Sequence, residues 1–166
     1  MLLTKNEWDK ISIKPKQYNN KKFIFNYFLG NLSDKRREEI ERIAKKYDCE
    51  IVDIMDEKNP YYTCGPREFI WLEKNAFLIC TDSFHSSVFA FLYNRPFIIF
   101  NREDSLENMS SRLNTLLEKF ELKNRKYNNK EITKENLNHD YNEGYKILEK
   151  EREKSKEFLE KALEVK

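Results

Sequence analysis

Residues 75–100 constrain the fold more than any other stretch of this chain. They read as an apolar run, a polar corner, an amphipathic helix, a proline stop and a second apolar run. The two runs are Phe77-Leu78-Ile79-Cys80-Thr81 and Pro96-Phe97-Ile98-Ile99-Phe100, and neither alternates apolar with polar residues. Strands of that composition are covered on both faces, as the central strands of a parallel sheet are. The connections are short enough for a parallel crossover through the intervening helix. The corner Thr81-Asp82-Ser83-Phe84-His85 then lies where the first strand ends and the helix begins. Open α/β sheets bind ligands at that edge.

The flanking sequence repeats the same alternation. Lys21-Lys22-Phe23-Ile24-Phe25-Asn26-Tyr27-Phe28-Leu29 is an aromatic and β-branched run that ends at Gly30-Asn31. Gly30 implies a turn with positive φ or close backbone approach, and is also a candidate phosphate-binding position. Ser33 or Asp34 caps a helix reaching about Tyr47, whose apolar face is Ile40, Ile43, Ala44 and Tyr47. The run Lys35-Arg36-Arg37-Glu38-Glu39 is its solvated face. Residues 49–55 form a second strand, residues 56–64 a loop, and Gly65-Pro66 opens a helix with proline in its first turn. Phe69, Leu72 and Ala76 face the core there, and Glu68 sits where the helix dipole favours a carboxylate.

After the fourth strand, residues 106–120 carry the stripe Leu106, Met109, Leu113, Leu116, Leu117 and Phe120. Residues 135–164 read as one charged helix, weakened at Gly144 by about 1 kcal/mol relative to alanine. That helix packs back on the sheet, docks on another domain or pairs with a second copy of the chain. The expected organisation is a lead-in at 1–20, a Rossmann-like lobe at 21–126, and a loop with a C-terminal helical tail at 127–166. The fold class is α/β, a parallel sheet flanked by helices.

A chain of 166 residues can bury a sizeable core. Lysine and arginine number 31 against 29 acidic residues, a formal charge of +2, which gives no electrostatic case for nucleic acid as a partner. The three cysteines, Cys49, Cys64 and Cys80, show no metal-ligand spacing, and an odd number of thiols in apolar surroundings fits a reducing compartment. No apolar run approaches the roughly 20 residues of a membrane span, and the first residues lack the apolar segment of a signal peptide. The expected location is the cytoplasm, with peripheral association at a membrane left open.

At the corner, Asp82 or Ser83 is placed to cap the helix that begins near Phe84. His85 falls in the first turn, where unpaired N–H groups and the positive end of the dipole favour an anion. Ser86 and Ser87 add hydroxyls beside an imidazole able to move a proton. The set suits a phosphate or carboxylate ligand. No glycine-rich elbow surrounds Ser83 and His85, which argues against a nucleophilic serine. His139 lies in a polar stretch and reads as a bystander. No carboxylate or histidine cluster implies a metal.

Gly65-Pro66-Arg67-Glu68-Phe69-Ile70-Trp71-Leu72, Asn75-Ala76, Thr81-Asp82-Ser83-Phe84-His85, Val88-Phe89 and Pro96-Phe97-Ile98, in this order and spacing, resemble the C-terminal half of the polysaccharide pyruvyl transferase family. Arg112-Leu113 to Leu116-Leu117 and Leu122 to Arg125 resemble its closing helix and the arginine beyond. The resemblance implies one lobe of a glycosyltransferase-B-like fold. It also implies transfer of the pyruvyl unit of phosphoenolpyruvate, the donor substrate, onto two sugar hydroxyls of a glycan or lipid-linked acceptor as a cyclic ketal. No further cofactor is implied. The motif histidine, here His85, would bind the anionic donor or move a proton, with Asp82 and Ser83 orienting it. Ser86 would stand beside the ligand, and Arg112 and Arg125 would supply guanidinium forks for carboxylate or phosphate. Many family members have glycine where this chain has Ser86. The family's N-terminal lobe, on this chain or a partner chain, would form the other wall of the cleft.

Two other readings stand beside the enzyme lobe. One is a catalytically inactive binding or assembly module that self-associates through the C-terminal helix into a homo-oligomer. The other is a nucleotide-sugar glycosyltransferase lobe, against which the absence of a glycine-rich phosphate loop after the first strand argues.

Overall fold

The structure, a computed structural model, describes residues 3–102 and 111–163. A five-residue helix, α1 (Lys5–Asp9), precedes the sheet. The sheet and its crossovers follow as β1 (Phe23–Tyr27), α2 (Asp34–Lys46), β2 (Glu50–Asp53), α3 (Pro66–Asn75), β3 (Leu78–Thr81), α4 (Phe84–Leu92) and β4 (Phe97–Ile99). Then come α5 (Ser111–Lys119), a 3-10 turn at Lys123–Arg125, α6 (Lys134–Leu137) and α7 (Asn142–Ala162). Leu106 and Met109, expected on α5, lie outside the described residues. All strand pairs are parallel and the order is β2-β1-β3-β4. The chain leaves β1 in one direction for β2 and in the other for β3, so the topological switch point lies between β1 and β3.

Successive strand residues point to opposite faces, and here both faces are covered. Phe23, Phe25, Ile79, Phe97 and Ile99 pack with Leu72 of α3, Ala90 and Phe91 of α4, Leu113 and Leu116 of α5 and Leu148 of α7. Ile24, Leu78, Cys80, Ile98 and Phe100 pack with Ile40, Ile43 and Ala44 of α2 and with Ile132. Both β3 and β4 are buried along their whole length, as their unbroken apolar runs predict. Ser33 is the N-cap of α2, and Gly65 with Pro66 opens α3 as expected. All three cysteines are free thiols. Among the described residues, no helix is long and apolar enough to cross a membrane.

The lead-in straps one face of the lobe. Trp8 packs edge-on against Phe89, with ring centroids 5.0 Å apart. Asp9 pairs with Lys74 of α3 at 2.9 Å and accepts from the Tyr93 hydroxyl at 3.1 Å. The Ile13 amide and the Arg67 guanidinium exchange bonds with the carbonyls of Arg67 and Ile11. Trp8 and Tyr18 of this segment pack against the core, whereas the side chains of Ile11 and Ile13 stay exposed.

Residues 135–164 do not form the single helix that their periodicity predicts. The chain breaks at residues 138–141, between α6 and α7. Tyr141 is the anchor that holds the break: it is buried against Phe91 and Phe97, and its hydroxyl donates to the Arg95 carbonyl at 3.0 Å. His139 sits in the break with Nδ1 3.2 Å from the Leu137 carbonyl and Nε2 2.9 Å from that of Asn94. From there α7 packs back on α4, where Tyr145 stacks on Phe91 with centroids 5.0 Å apart. Its last turns, from residue 153 to 163, are exposed.

Gly144 belongs at this contact because of space rather than backbone freedom. A Cβ there would stand 2.9 Å from the Phe120 carbonyl oxygen and 3.0 Å from the Phe91 ring. Alanine would gain about 1 kcal/mol of helix propensity, against about 1–3 kcal/mol for forcing packed elements apart. The backbone oxygen cannot rotate away, so the second effect wins. Gly144→Ala is expected to lower the thermal midpoint; a rise would show that α7 is not seated this closely on α4.

Candidate functional site

The carboxyl edge of the sheet is fastened by one side chain. The Asp82 carboxylate follows β3 directly and accepts from the Leu29 amide through Oδ1 and from the Gly30 amide through Oδ2, both at 2.8 Å. Arg102, beyond β4, places its Nε 3.0 Å from Oδ2. Asp82 thus joins the ends of β1, β3 and β4 across the switch point. Thr81 reinforces the join: its hydroxyl donates to the Tyr27 carbonyl at 2.6 Å and accepts from the Ser83 amide at 3.0 Å. Gly30 lacks the positive φ expected of it, and its amide donates to Asp82.

The N-cap of α4 is Ser83, but its hydroxyl bonds no helix N–H. Its carbonyl accepts from the Ser87 amide at 3.1 Å and the Ser87 hydroxyl at 2.8 Å. Ser83 thus leaves the first-turn N–H groups without a cap from its own side chain. His85 is exposed on that turn, its ring edge-on to Phe84 at 5.7 Å. Arg112 of α5 lies over the same ring, its guanidinium carbon 5.5 Å from the Phe84 ring centre. His85 and Arg112 thus each neighbour Phe84, the first residue of α4.

The other expected site residues take different positions. Asp82, Ser83 and Ser86 are buried beneath the turn rather than displayed on it. Ser86 points inward, so the side chain that replaces glycine at this position does not crowd the exposed face. Arg125 is buried at 4% exposure, its Nη1 and Nη2 donating to the carbonyls of Asn136 and Asn138 at 2.9 and 3.2 Å. It stacks over Tyr141 and holds the segment around α6, away from the corner. Among the described residues, no three of His, Cys, Asp and Glu come together as a metal-ligand set. A cavity of about 660 Å³ opens beside Phe120, Gly144 and Tyr145, and none of the expected site residues lines it.

Comparison with known proteins bears on this corner. The family model described as polysaccharide pyruvyl transferase matches residues 2–105. The matched span takes in the α1 strap, the whole sheet, Asp82 and His85, and stops before Arg112 and Arg125. No curated protein and no solved structure matches the chain.

One residue of the corner escaped sequence reasoning. Glu73 of α3 is fully buried, and neither carboxyl oxygen has a hydrogen-bond partner; the Ser86 hydroxyl, which faces it from α4, is also fully buried and short of bonding geometry. The signal was present, because Phe69, Leu72, Glu73 and Ala76 share one helical stripe. Burial raises the Glu73 pKa well above its ordinary value of 4.5, with Ser86 opposing weakly. The folded state therefore keeps a proton that the unfolded chain releases, so this group costs stability as pH rises above about 4.5 and none below it. Urea melts from about pH 4.5 to 8 should show Glu73→Gln losing that downward component. An unchanged slope would mean that the carboxyl is not held protonated.

Proposed function

Because the chain belongs to the polysaccharide pyruvyl transferase family, we propose that this lobe binds phosphoenolpyruvate at the first turn of α4 and transfers its pyruvyl unit to sugar hydroxyls of a polysaccharide precursor. The observation that carries the reading is the exposed imidazole of His85 on a helix amino terminus that the Ser83 hydroxyl does not cap, with the Arg112 guanidinium over the neighbouring Phe84 ring. Unpaired N–H groups and the helix dipole favour a phosphate or carboxylate there. Arginine offers a planar fork to the same groups.

In the reaction two sugar oxygens bond to the central carbon of phosphoenolpyruvate, the bond from that carbon to the phosphate ester oxygen breaks, and phosphate leaves. The methylene carbon gains one hydroxyl proton and the departing phosphate the other. His85 stands where it can hold the donor's charge or carry the proton to the methylene carbon. The Asp82 clamp keeps the turn that bears His85 in place without touching the ligand. Its bonds also argue against a nucleotide-sugar site on the loop after β1, since the Leu29 and Gly30 amides that would cradle a diphosphate are bonded to Asp82. Completion of the cleft by a second lobe, in cis or in trans, is part of the proposal.

Calorimetric titration of phosphoenolpyruvate into this chain and into His85→Ala tests it. The variant should bind at least about tenfold more weakly, a loss of about 1.4 kcal/mol. Equal binding by both, or none by either, would remove the donor site from this lobe and favour a scaffold.

A further inference from the structure

Tyr27 ends β1 and stands in register with Thr81, which ends β3. These two strands flank the switch point, where open parallel sheets take their ligands. Side chains alternate along a strand, and Tyr27 points to the same side as Phe25, the side that α3 and α4 cover. The β1–α2 loop departs toward the opposite face, which α2 covers.

A row of rings carries the position of Tyr27 across to α4. Its ring meets Phe69 of α3 edge-on with centroids 5.1 Å apart, and Phe69 meets Phe89 of α4 edge-on at 5.9 Å. His85 precedes Phe89 by four residues, so it rises from the same helical face one turn nearer the carboxyl edge. The hydroxyls of Tyr61, Tyr93, Tyr141 and Tyr145 each donate within the protein. That of Tyr27 has no hydrogen-bond partner among the described residues, although the side chain is half-buried. A buried phenol usually finds one. Burial raises the Tyr27 pKa, with the Glu73 and Asp82 carboxyl groups adding, so near neutral pH the hydroxyl keeps its proton and can donate it.

We infer that the Tyr27 hydroxyl donates to the inner group of a two-ended anion whose outer group lies at the first turn of α4, and so selects such a ligand over a simple phosphate ion; the inference rests on the donor reading of α4. A neutral donor fits this place. A guanidinium or ammonium beside Asp82 would be drawn to its carboxylate, whereas a phenol carries no charge, and that carboxylate already accepts from two amides and pairs with Arg102. The ring, set against Phe25 and Phe69, fixes the oxygen in advance of binding. Phosphoenolpyruvate bears its phosphate ester and its carboxylate on one carbon, so holding one group at α4 leaves the other close by for Tyr27.

Amide-resolved NMR titrations of the whole chain test this, with phosphoenolpyruvate and inorganic phosphate as separate probes. Tyr27→Phe removes one oxygen and keeps the ring contacts. It should bind phosphoenolpyruvate at least about tenfold more weakly, as loss of a hydrogen bond to a charged group requires, and inorganic phosphate as well as the wild type does. Unchanged phosphoenolpyruvate affinity would overturn the inference. An equal loss for both probes would also overturn it, since Tyr27 would then only support the turn. His85→Ala separates this from the donor reading. A loss in Tyr27→Phe with none in His85→Ala would sink that reading and leave Tyr27 as an anion contact; a loss in His85→Ala alone would sink the role of Tyr27. Absence of phosphoenolpyruvate binding by the wild-type chain would sink both.

Discussion

A single carboxylate decides the shape of the edge at which this lobe can do chemistry. Asp82 bonds two backbone amides of the β1–α2 loop and the guanidinium of Arg102, tying together three strand ends that the hydrogen-bond ladder alone would leave free to splay. A nearly buried carboxylate needs such partners, because leaving it unpaired costs several kcal/mol. The two amides and the arginine in turn find a charged acceptor in Asp82. The turn that starts α4, and with it His85, takes its place from this join.

The motif Thr81-Asp82-Ser83-Phe84-His85 accordingly divides its work between holding and displaying. Thr81, Asp82 and Ser83 are buried and bond to backbone or to Arg102. Phe84 lies between the His85 ring and the Arg112 guanidinium, and His85 faces solvent. The α1 strap belongs to the same design. It braces α3 and α4 from outside through Trp8 and Asp9, and the family match begins within the first residues of the chain.

The order of strands and helices was legible because parallel strands buried on both faces are continuous apolar runs, and because Gly65-Pro66 and Pro96 punctuate them. The break before α7 was not legible. Residues 135–164 keep helical periodicity, and the stop comes from a tertiary contact, the insertion of Tyr141 between Phe91 and Phe97. At the site, residue type singled out this corner and His85, whose side chain is exposed there. It could not tell which side of the backbone Ser86 occupies, nor that Arg125 answers two loop carbonyls instead of a ligand. Glu73 was hidden for a similar reason: a carboxylate on an apolar stripe reads as a surface residue until α4 is seen to cover it.

If Asp82 fixes the carboxyl edge, amide hydrogen exchange on Asp82→Asn will register its loss. An asparagine offers one carbonyl oxygen where the carboxylate offers two, so at least one of the Leu29 and Gly30 amides must lose its acceptor. Exchange at that amide should be at least about tenfold faster, a local opening easier by about 1.4 kcal/mol, while Phe23 and Phe25 in β1 keep their protection. Unchanged exchange at both amides would contradict it, since the loop would then be held by something other than Asp82.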